Sequence, residues 1–279
     1  MDAADIRTSR PLLCVNDLSV ALQRPGKSIP ILHNISFELR AGETLALIGA
    51  SGSGKSMTAL ALLDLLPKPL ERTGGEIRFA GRQISGVSAG NLADLRGCDI
   101  AMIFQDPGAA LNPVFRVGGQ IVDVIKTHMK LPTRAAKART FYLLRQMGFA
   151  DRDSVYNSYP HELSGGMAQR VMIAMALSCN PRLIIADEPT TALDVTTQGK
   201  ILKLILDLQR AKKFALLLIS HDLSLVGSLA DFVAVLQSGR VVESGAAARI
   251  MASPEHPHTR ELVDSVLHLS TTFPHEIDA

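Results

Sequence analysis

Two groups of residues in this sequence have types and spacings that suit phosphate chemistry. The first is Gly49, Gly54, Lys55 and Ser56, which fit the spacing GxxxxGK[ST] within the stretch Thr44 to Leu63. Glycines let the backbone approach an anion closely, the lysine supplies a point charge, and the hydroxyl can ligate Mg²⁺. The stretch predicts a phosphate site for a nucleoside triphosphate, and the alternative is a flexible Gly/Ser turn that happens to contain a lysine. The predicted nucleotide contacts are Gly49, Ala50, Ser51, Gly52, Ser53, Gly54, Lys55, Ser56 and Met57.

The second group is a pair of carboxylates, Asp187 and Glu188, between the apolar run Leu183 to Ala186 and the breaker Pro189. Beside a phosphate loop, the first carboxylate can hold Mg²⁺ through water and the second can act on the attacking water. A polar strand end explains the pair equally well when it is considered alone. In combination with the phosphate loop, the catalytic interpretation is favoured.

Two further polar residues follow apolar runs. Gln105 comes after Ile100 to Phe104, where it can ligate Mg²⁺ or be an ordinary polar loop residue, and His221 comes shortly after Phe214 to Ile219. Apolar strands that each finish in polar residues are typical of a ligand site at the carboxyl ends of a mostly parallel sheet. The pattern predicts an α/β fold.

The elements around these residues follow from periodicity and breakers. Alternating segments between Leu12 and Leu39, separated by the breaker stretch Arg24 to Pro30, predict antiparallel strands, and Glu76 to Ala80 predicts another short strand. The run DPGAALNPVF after Gln105 reads as a loop. Helical spacing predicts a helix over Thr133 to Met147, and another helix is expected after Gly166.

Composition and charge argue against several other classes of function. The net charge of +2 among 279 residues, with no block of like charges, argues against nucleic-acid binding. The three cysteines have no metal-ligand spacing, which favours a reducing cytoplasm. Apolar runs such as Val171 to Leu177 are far shorter than the ~20 residues that span a bilayer. Any membrane role is therefore expected to come through a partner.

The sequence LSGGMAQR, Leu163 to Arg170, resembles the signature motif of ABC-type ATPases. The phosphate loop, Gln105, this motif, Asp187 with Glu188, Asp194 and His221 occur in the order of that family's phosphate loop, Q-loop, signature, Walker B, D-loop and H-loop. The resemblance covers about Val15 to Gly245. It implies an ABC ATPase domain over 12–250, with an N-terminal antiparallel β subdomain, a helical subdomain inserted at about 107–178, and a short C-terminal tail over 251–279.

The resemblance also implies a mechanism in which two ATPase chains face head to tail and enclose ATP. Ser56 and Gln105 would ligate Mg²⁺, Asp187 would hold it through water, Glu188 would act on the attacking water, and His221 would touch the γ-phosphate. The residues expected to contact the ATP of the other subunit are Ser164, Gly165, Gly166 and Asp194. The second ATPase would be an identical chain or a paralogue.

Finer features resemble the branch that powers import of peptides and nickel. They are FQDPGAALNP from Phe104, ADEPTTALDVTTQ from Ala186 and PEHPHT from Pro254. The chain stops at Ala279 without the cysteine-rich extension of some peptide importers, which favours a nickel-type or compact member. The implied partners are two transmembrane permease subunits, contacted through Asp106 to Val124, and indirectly an extracytoplasmic solute-binding protein. The implied location is peripheral, on the cytoplasmic face of the inner membrane.

The sequence departs from the family pattern at two positions, and two other functions are compatible with it. Leu22 stands where the family usually stacks an aromatic on adenine, and His258 replaces the usual tyrosine of HPYT. Glu255, His256 and His258 could form a metal site, although an exposed Pro-rich turn is the preferred interpretation. The rival functions are a soluble ABC ATPase acting on ribosomes or nucleic acid, and a phosphoryl-transferring kinase that would leave LSGGM and Glu188 unexplained.

Overall fold

The computed structural model describes residues 10–86, 89–191, 193–221 and 223–272, which fall into two compact units. Unit 1 contains the described residues up to Ser85 and those from Leu218 onward, and unit 2 is Gly86–Leu217. The N-terminal part of unit 1 contains β1 (Leu13–Arg24), β2 (Lys27–Leu39), β3 (Thr44–Ile48), α1 (Lys55–Leu62), β4 (Leu70–Phe79) and β5 (Arg82–Gln83).

Unit 2 is mainly helical. Its elements are α2 (Ala89–Leu95), β6 (Ile100–Ile103), α3 (Pro107–Ala110), α4 (Val117–Met129), α5 (Thr133–Gln146), α6 (Arg152–Asn157), α7 (Gly165–Ala176), β7 (Leu183–Asp187) and α8 (Val195–Lys212). The chain passes from unit 2 into unit 1 along β8 (Ala215–Ser220). The remaining elements of unit 1 are α9 (Leu223–Leu229), β9 (Phe232–Gln237), β10 (Arg240–Ala246), α10 (Ala247–Ala252) and α11 (Pro257–Thr272).

Unit 1 contains the predicted antiparallel sheet, with strand order β2-β1-β4-β5. The breaker stretch predicted over Arg24 to Pro30 is wrong for most of its length, because β1 and β2 are joined by a turn of only two residues, Pro25 and Gly26. Gly26 has a positive φ of 73°, which the third position of a type II turn requires, and Pro25 suits the second position. Pro30 lies within β2, where its missing N–H is tolerated because β2 is an edge strand.

The strand predicted over Glu76 to Ala80 is part of a longer one. β4 begins at Leu70, and its pairing with β1 shifts register between Asn16 and Val20, opposite Gly74 and its neighbours. Burial still alternates along the whole strand, but residues 71–76 are charged residues, Thr and Gly, which explains why the sequence revealed only the second half of the strand.

A second group of strands in unit 1 supports the phosphate loop. The entirely buried β3 lies parallel to β9, with Leu45 opposite Phe232 and Ile48 opposite Val235, and β10 is antiparallel to β9. Asp231 fixes the beginning of β3, because its carboxylate accepts the Thr44 N–H at 2.8 Å. An apolar cluster joins these strands to α9, α10 and α11 and comprises Ala46, Ile48, Leu223, Val226, Val233, Val235, Ala247, Ile250 and Val263.

In unit 2, β6 and β7 are parallel, with Ile100 opposite Leu183 and Ile103 opposite Ala186. The helix predicted over Thr133 to Met147 is confirmed as α5, which ends at Gln146. Its buried side chains recur at helical spacing and are Ala136, Thr140, Leu143 and Leu144. Parallel strand pairs together with these helices confirm the α/β class.

The loop predicted after Gln105 contains one short helix, α3. Asp106 caps it by accepting the Gly108 N–H at 2.7 Å, and Pro107 occupies the first helical position. Both residues are helix-start signals, but the Gly and Pro residues of this stretch favoured the prediction of a loop. Beyond α3 the chain is irregular to Arg116, as predicted, and Gln120 holds this stretch through hydrogen bonds to Asn112 and Phe115.

No helix within the described ranges combines the length and the apolar character needed to cross a bilayer. The predicted C-terminal tail includes α11, and its residues 273–279 lie outside the described part of the chain.

Candidate functional site

The phosphate loop lies between β3 and α1 in unit 1. Lys55 is only 5% exposed, and its ammonium group donates to the carbonyl oxygens of Gly49 at 2.9 Å and Ala50 at 3.0 Å. These bonds arch the loop around its own lysine and place the positive charge inside the curve of the backbone. The Ser53 hydroxyl is buried and has no hydrogen-bond partner among the described residues. An unsatisfied buried hydroxyl in such a loop suits an anionic ligand.

Two glycines are required by the shape of this loop. Gly49 has φ +152°, and a Cβ there would collide with the carbonyl oxygen of Leu236. Gly54 has φ +109° at the N-cap of α1, and a Cβ there would lie 2.5 Å from a methyl group of Leu32. The sequence predicted glycines for close backbone approach to an anion, and the structure shows that they also permit close packing beneath the loop.

The carboxylate pair lies at the end of β7 in unit 2. Asp187 is the last residue of the strand and is buried, whereas Glu188 is partly exposed and has φ +43°, a left-handed conformation that is unusual for a residue with a side chain. Gln105 donates from its amide nitrogen to Glu188 Oε2 at 3.1 Å. The structure therefore brings two of the predicted catalytic residues into contact within this unit.

Sequence reasoning missed a third member of this group. The Thr191 hydroxyl donates to the same oxygen, Glu188 Oε2, at 2.9 Å, and the Thr191 N–H donates to the Glu188 carbonyl at 3.3 Å. Pro189 stands at the second position of this four-residue turn, where proline is favoured. A threonine three residues after a glutamate across a Pro turn was the signal available in the sequence.

Asp194 caps the N-terminus of α8. Its carboxylate accepts the backbone N–H of Thr197 at 2.9 Å, and this hydrogen bond is the main reason that the pKa of Asp194 lies below its usual value. The group is an ionised acceptor at neutral pH. Whether it also reaches the ATP of another subunit stays a prediction.

The signature motif forms the start of α7. Ser164 is the N-cap, with its hydroxyl accepting the Met167 N–H at 3.4 Å, and the helix begins at Gly165 instead of after Gly166. The predicted start is therefore slightly late, because the serine takes the capping position that the sequence reading left unassigned. A Cβ at Gly166 would lie 2.9 Å from a Thr197 methyl group, so the glycine permits close packing against α8.

The other predicted residues occupy the following positions. His221 is exposed and follows the last residue of β8. Leu22 lies in β1, half-buried and paired with Ile29 and Leu70. Ser56 is in the first turn of α1. Residue types alone give Ser56, Gln105 and Asp187 the oxygen donors that Mg²⁺ prefers.

The PEHPHT segment is held in place by hydrogen bonds and ion pairs. The backbone N–H groups of Glu255 and His256 donate to the two oxygens of the buried Glu243 at 3.0 Å each, and Arg249 pairs with Glu243 at 3.6 Å and with Glu255 at 2.8 Å. Within the described part of the chain, no group of three or more His, Cys, Asp or Glu side chains could hold a metal ion.

Comparison with known proteins agrees with this geometry. The family model described as ABC transporter matches residues 32–191. The oligopeptide transport ATP-binding protein OppD of Bacillus subtilis is 44% identical over 277 residues, covering 98% of this chain and 76% of that protein. The chain belongs to the ABC transporter family. This confirms the predicted resemblance, and the chain is an ABC-type ATPase.

Two further likenesses extend this result. The glutathione import ATP-binding protein GsiA of Salmonella typhimurium is 42% identical over 287 residues, covering 99% of this chain but only 45% of that longer protein. Among solved structures, the dimeric post-hydrolysis state of the ATP-binding cassette MJ0796, bound to ADP and phosphate, aligns with a TM-score of 0.75 at 25% identity. That alignment covers 84% of this ABC ATPase and 98% of the cassette.

Proposed function

We propose that this ABC ATPase is the ATP-hydrolysing subunit of a membrane importer whose permease subunits are separate chains. The observation that carries the proposal is the 44% identity to a peptide-transport ATP-binding protein along 98% of the chain. The ribosome- or nucleic-acid-acting alternative is not favoured by these relatives. A kinase would leave the LSGGM motif and Glu188 unexplained.

In this proposal, the arched loop around Lys55 binds the ATP phosphates. Bound Mg²⁺ would neutralise phosphate charge, and Ser56, Gln105 and, through water, Asp187 would hold it. Glu188 accepts a proton from the water whose oxygen bonds to the γ-phosphorus as the bond to the ADP oxygen breaks. His221 would touch the γ-phosphate. Such positioning and charge stabilisation account for most of phosphoryl-transfer catalysis.

The complete transporter is proposed to contain a second ATPase subunit, which is an identical chain or a paralogue. Ser164, Gly165, Gly166 and Asp194 are assigned to the ATP held by that subunit, and the N-terminus of α7 suits the approach of a phosphate. The dimeric MJ0796 cassette supports this arrangement. The domain limits 12–250, 107–178 and 251–279 are part of the same proposal.

The permease contact is assigned to Asp106–Val124. This segment carries Val114 and Phe115, two of the large apolar side chains that the described residues expose most, at 70% and 60%. Exposed apolar side chains close together are suited to an interface. The assigned location is therefore the cytoplasmic face of the inner membrane, through the permease.

The proposed cargo is a peptide or a small peptide derivative, because the relatives are an oligopeptide transport protein and a glutathione import protein. Nickel or a metal chelate is the second candidate, which the PEHPHT resemblance leaves open.

Co-purification from detergent-solubilised membranes tests the importer assignment. The wild-type chain is expected to retain permease subunits, whereas a Val114→Asp, Phe115→Asp double variant loses them and keeps its nucleotide affinity. Leu65→Asp, which alters another exposed apolar side chain in unit 1, is the matched control and should retain the permease. Recovery of ribosomes or nucleic acid in place of membrane subunits would overturn the importer assignment.

Nucleotide titration tests the phosphate site. Lys55→Ala is expected to abolish productive ATP binding, since it removes the buried charge that pairs with the β/γ-phosphates. Lys203→Ala removes an exposed lysine of α8 and should bind ATP normally. Unchanged affinity in the Lys55 variant would exclude this loop as the phosphate site.

A further inference from the structure

The turn after β7 contains a hydroxyl that the proposed mechanism does not use. Thr191 Oγ1 lies 2.9 Å from Glu188 Oε2, and the Gln105 amide lies 3.1 Å from the same oxygen. Two donors from different parts of unit 2 thus converge on one carboxylate oxygen. A glutamate side chain has several rotatable bonds, and convergent donors select one orientation of the carboxyl group from those it could adopt.

The backbone around this contact is arranged to bring the two side chains together. Glu188 has φ +43°, Pro189 fixes the next φ, and the Thr191 N–H closes the turn on the Glu188 carbonyl. Strained backbone of this kind persists where surrounding structure over-determines it and is concentrated at functional sites. Here it turns the glutamate side chain towards the hydroxyl three residues later.

Gln105 and Thr191, the two donors, differ in the roles that the proposed mechanism gives them. Gln105 is proposed to ligate Mg²⁺, so its contact with Glu188 is tied to the metal. Thr191 has no assigned ligand role, and its hydroxyl lies on the same short turn as Glu188. Its hold on the carboxylate therefore does not depend on the metal.

We propose that Thr191 is a positioning residue that orients the Glu188 carboxylate for its action on the attacking water. This inference rests on the proposed function, because it takes Glu188 to be the base. It assigns Thr191 no contact with ATP. Loss of the hydroxyl should therefore slow hydrolysis without weakening nucleotide binding.

The test compares Thr191→Val, which removes the hydroxyl at constant shape, with Thr191→Ser, which keeps it. Single-turnover hydrolysis of Mg-ATP by the full chain, with its ATPase partner present, is expected to fall about tenfold in T191V, the scale of one hydrogen bond to a charged group. ATP affinity should stay within about twofold of wild type, and T191S should restore the rate to within about twofold. Thr191→Ala replaces T191V if thermal melting shows that the valine variant is misfolded.

A double-mutant cycle separates positioning from general support of the fold. If Thr191 acts through the carboxylate, T191V should slow an E188Q background by less than about twofold. An equal tenfold loss in both backgrounds, or an undisturbed T191V, would overturn the inference while E188Q itself stays defective. Near-normal hydrolysis by E188Q would instead overturn the base assignment, and the inference with it.

Discussion

Glu188 in unit 2 and Glu243 in unit 1 are both hydrogen-bonded carboxylates, yet they are held in different ways. Glu188 is partly exposed, follows a strand in a left-handed conformation and accepts side-chain donors on one oxygen. Glu243 is 9% exposed, lies within β10 and accepts one backbone N–H on each oxygen. Side-chain donors can rearrange when a ligand arrives, whereas backbone donors fix the chain itself.

The difference fits the proposed catalytic role of Glu188 and a structural role for Glu243. Glu243 fixes the start of the segment leading into α11, whose Val263 packs in the apolar cluster with α9 and α10. Replacing each glutamate by glutamine keeps its size but removes its charge. The same substitution should therefore affect hydrolysis at one position and stability at the other.

The largest effect is expected for Glu188→Gln. Loss of a general base should lower single-turnover hydrolysis by roughly 10²- to 10⁴-fold, while ATP binding survives and the ATP-bound dimer accumulates in size exclusion with Mg²⁺. The denaturation midpoint should stay close to wild type. Asp187→Asn should in addition weaken Mg²⁺-dependent binding. Near-normal turnover of the Gln variant, with its proper partner present, would erase the contrast with Glu243.

Glu243→Gln is expected to show the reverse pattern. The amide nitrogen would face a backbone N–H, leaving a buried donor unpaired at a loss of about 1–3 kcal/mol in the free energy of unfolding. Urea denaturation measures this loss, and hydrolysis per folded molecule should change little. Glu255→Gln, which alters an exposed neighbour that also pairs with Arg249, is the control. A stable E243Q protein with impaired hydrolysis would contradict the supporting role.

The sequence predicted the elements whose own residues determine them. The buried runs of β3 and β7 and the helical stripe of α5 needed no knowledge of their partners. It failed where a neighbouring strand decides, as at Pro30 on an edge strand and at the irregular pairing of β4. Those residues carry breaker signals that only the sheet environment overrides.

The candidate site shows the same division. Gln105 and Glu188 were predicted separately from strand ends, and the structure adds their contact. Thr191 was missed because a hydroxyl side chain is ordinary in a turn and becomes informative only with the position of its acceptor. The C-terminal histidines attracted attention by residue type, although it is the backbone at His256 that bonds to Glu243.

A substitution at Leu22, which alters neither carboxylate, should change ATP affinity without changing hydrolysis or stability. Leu22 lies where the family resemblance places adenine, so Leu22→Tyr should tighten ATP binding by about 1 kcal/mol, or about fivefold in Kd. Hydrolysis at saturating ATP and the denaturation midpoint should not move. Leu22→Met, which adds no aromatic ring, is the control. Flat or weaker affinity in the tyrosine variant would place the base elsewhere.

The smallest effect expected is the pH dependence that Glu243 adds to stability. Burial by itself would raise the pKa of Glu243, but the Glu255 and His256 N–H groups, together with the Thr259 side chain and the charge of Arg249, outweigh it, so the pKa lies below its ordinary value of 4.5. A carboxyl with a lowered folded pKa stabilises the fold above its unfolded pKa, and this contribution disappears as pH falls through the folded value. The wild-type protein should therefore lose stability faster than E243Q as pH falls below about 4.5, and the gap between them in urea should narrow. Other titrating groups are common to both proteins and cancel in the difference. A gap that stays constant down to acid pH would show that the ionised form of Glu243 is not what fixes this segment.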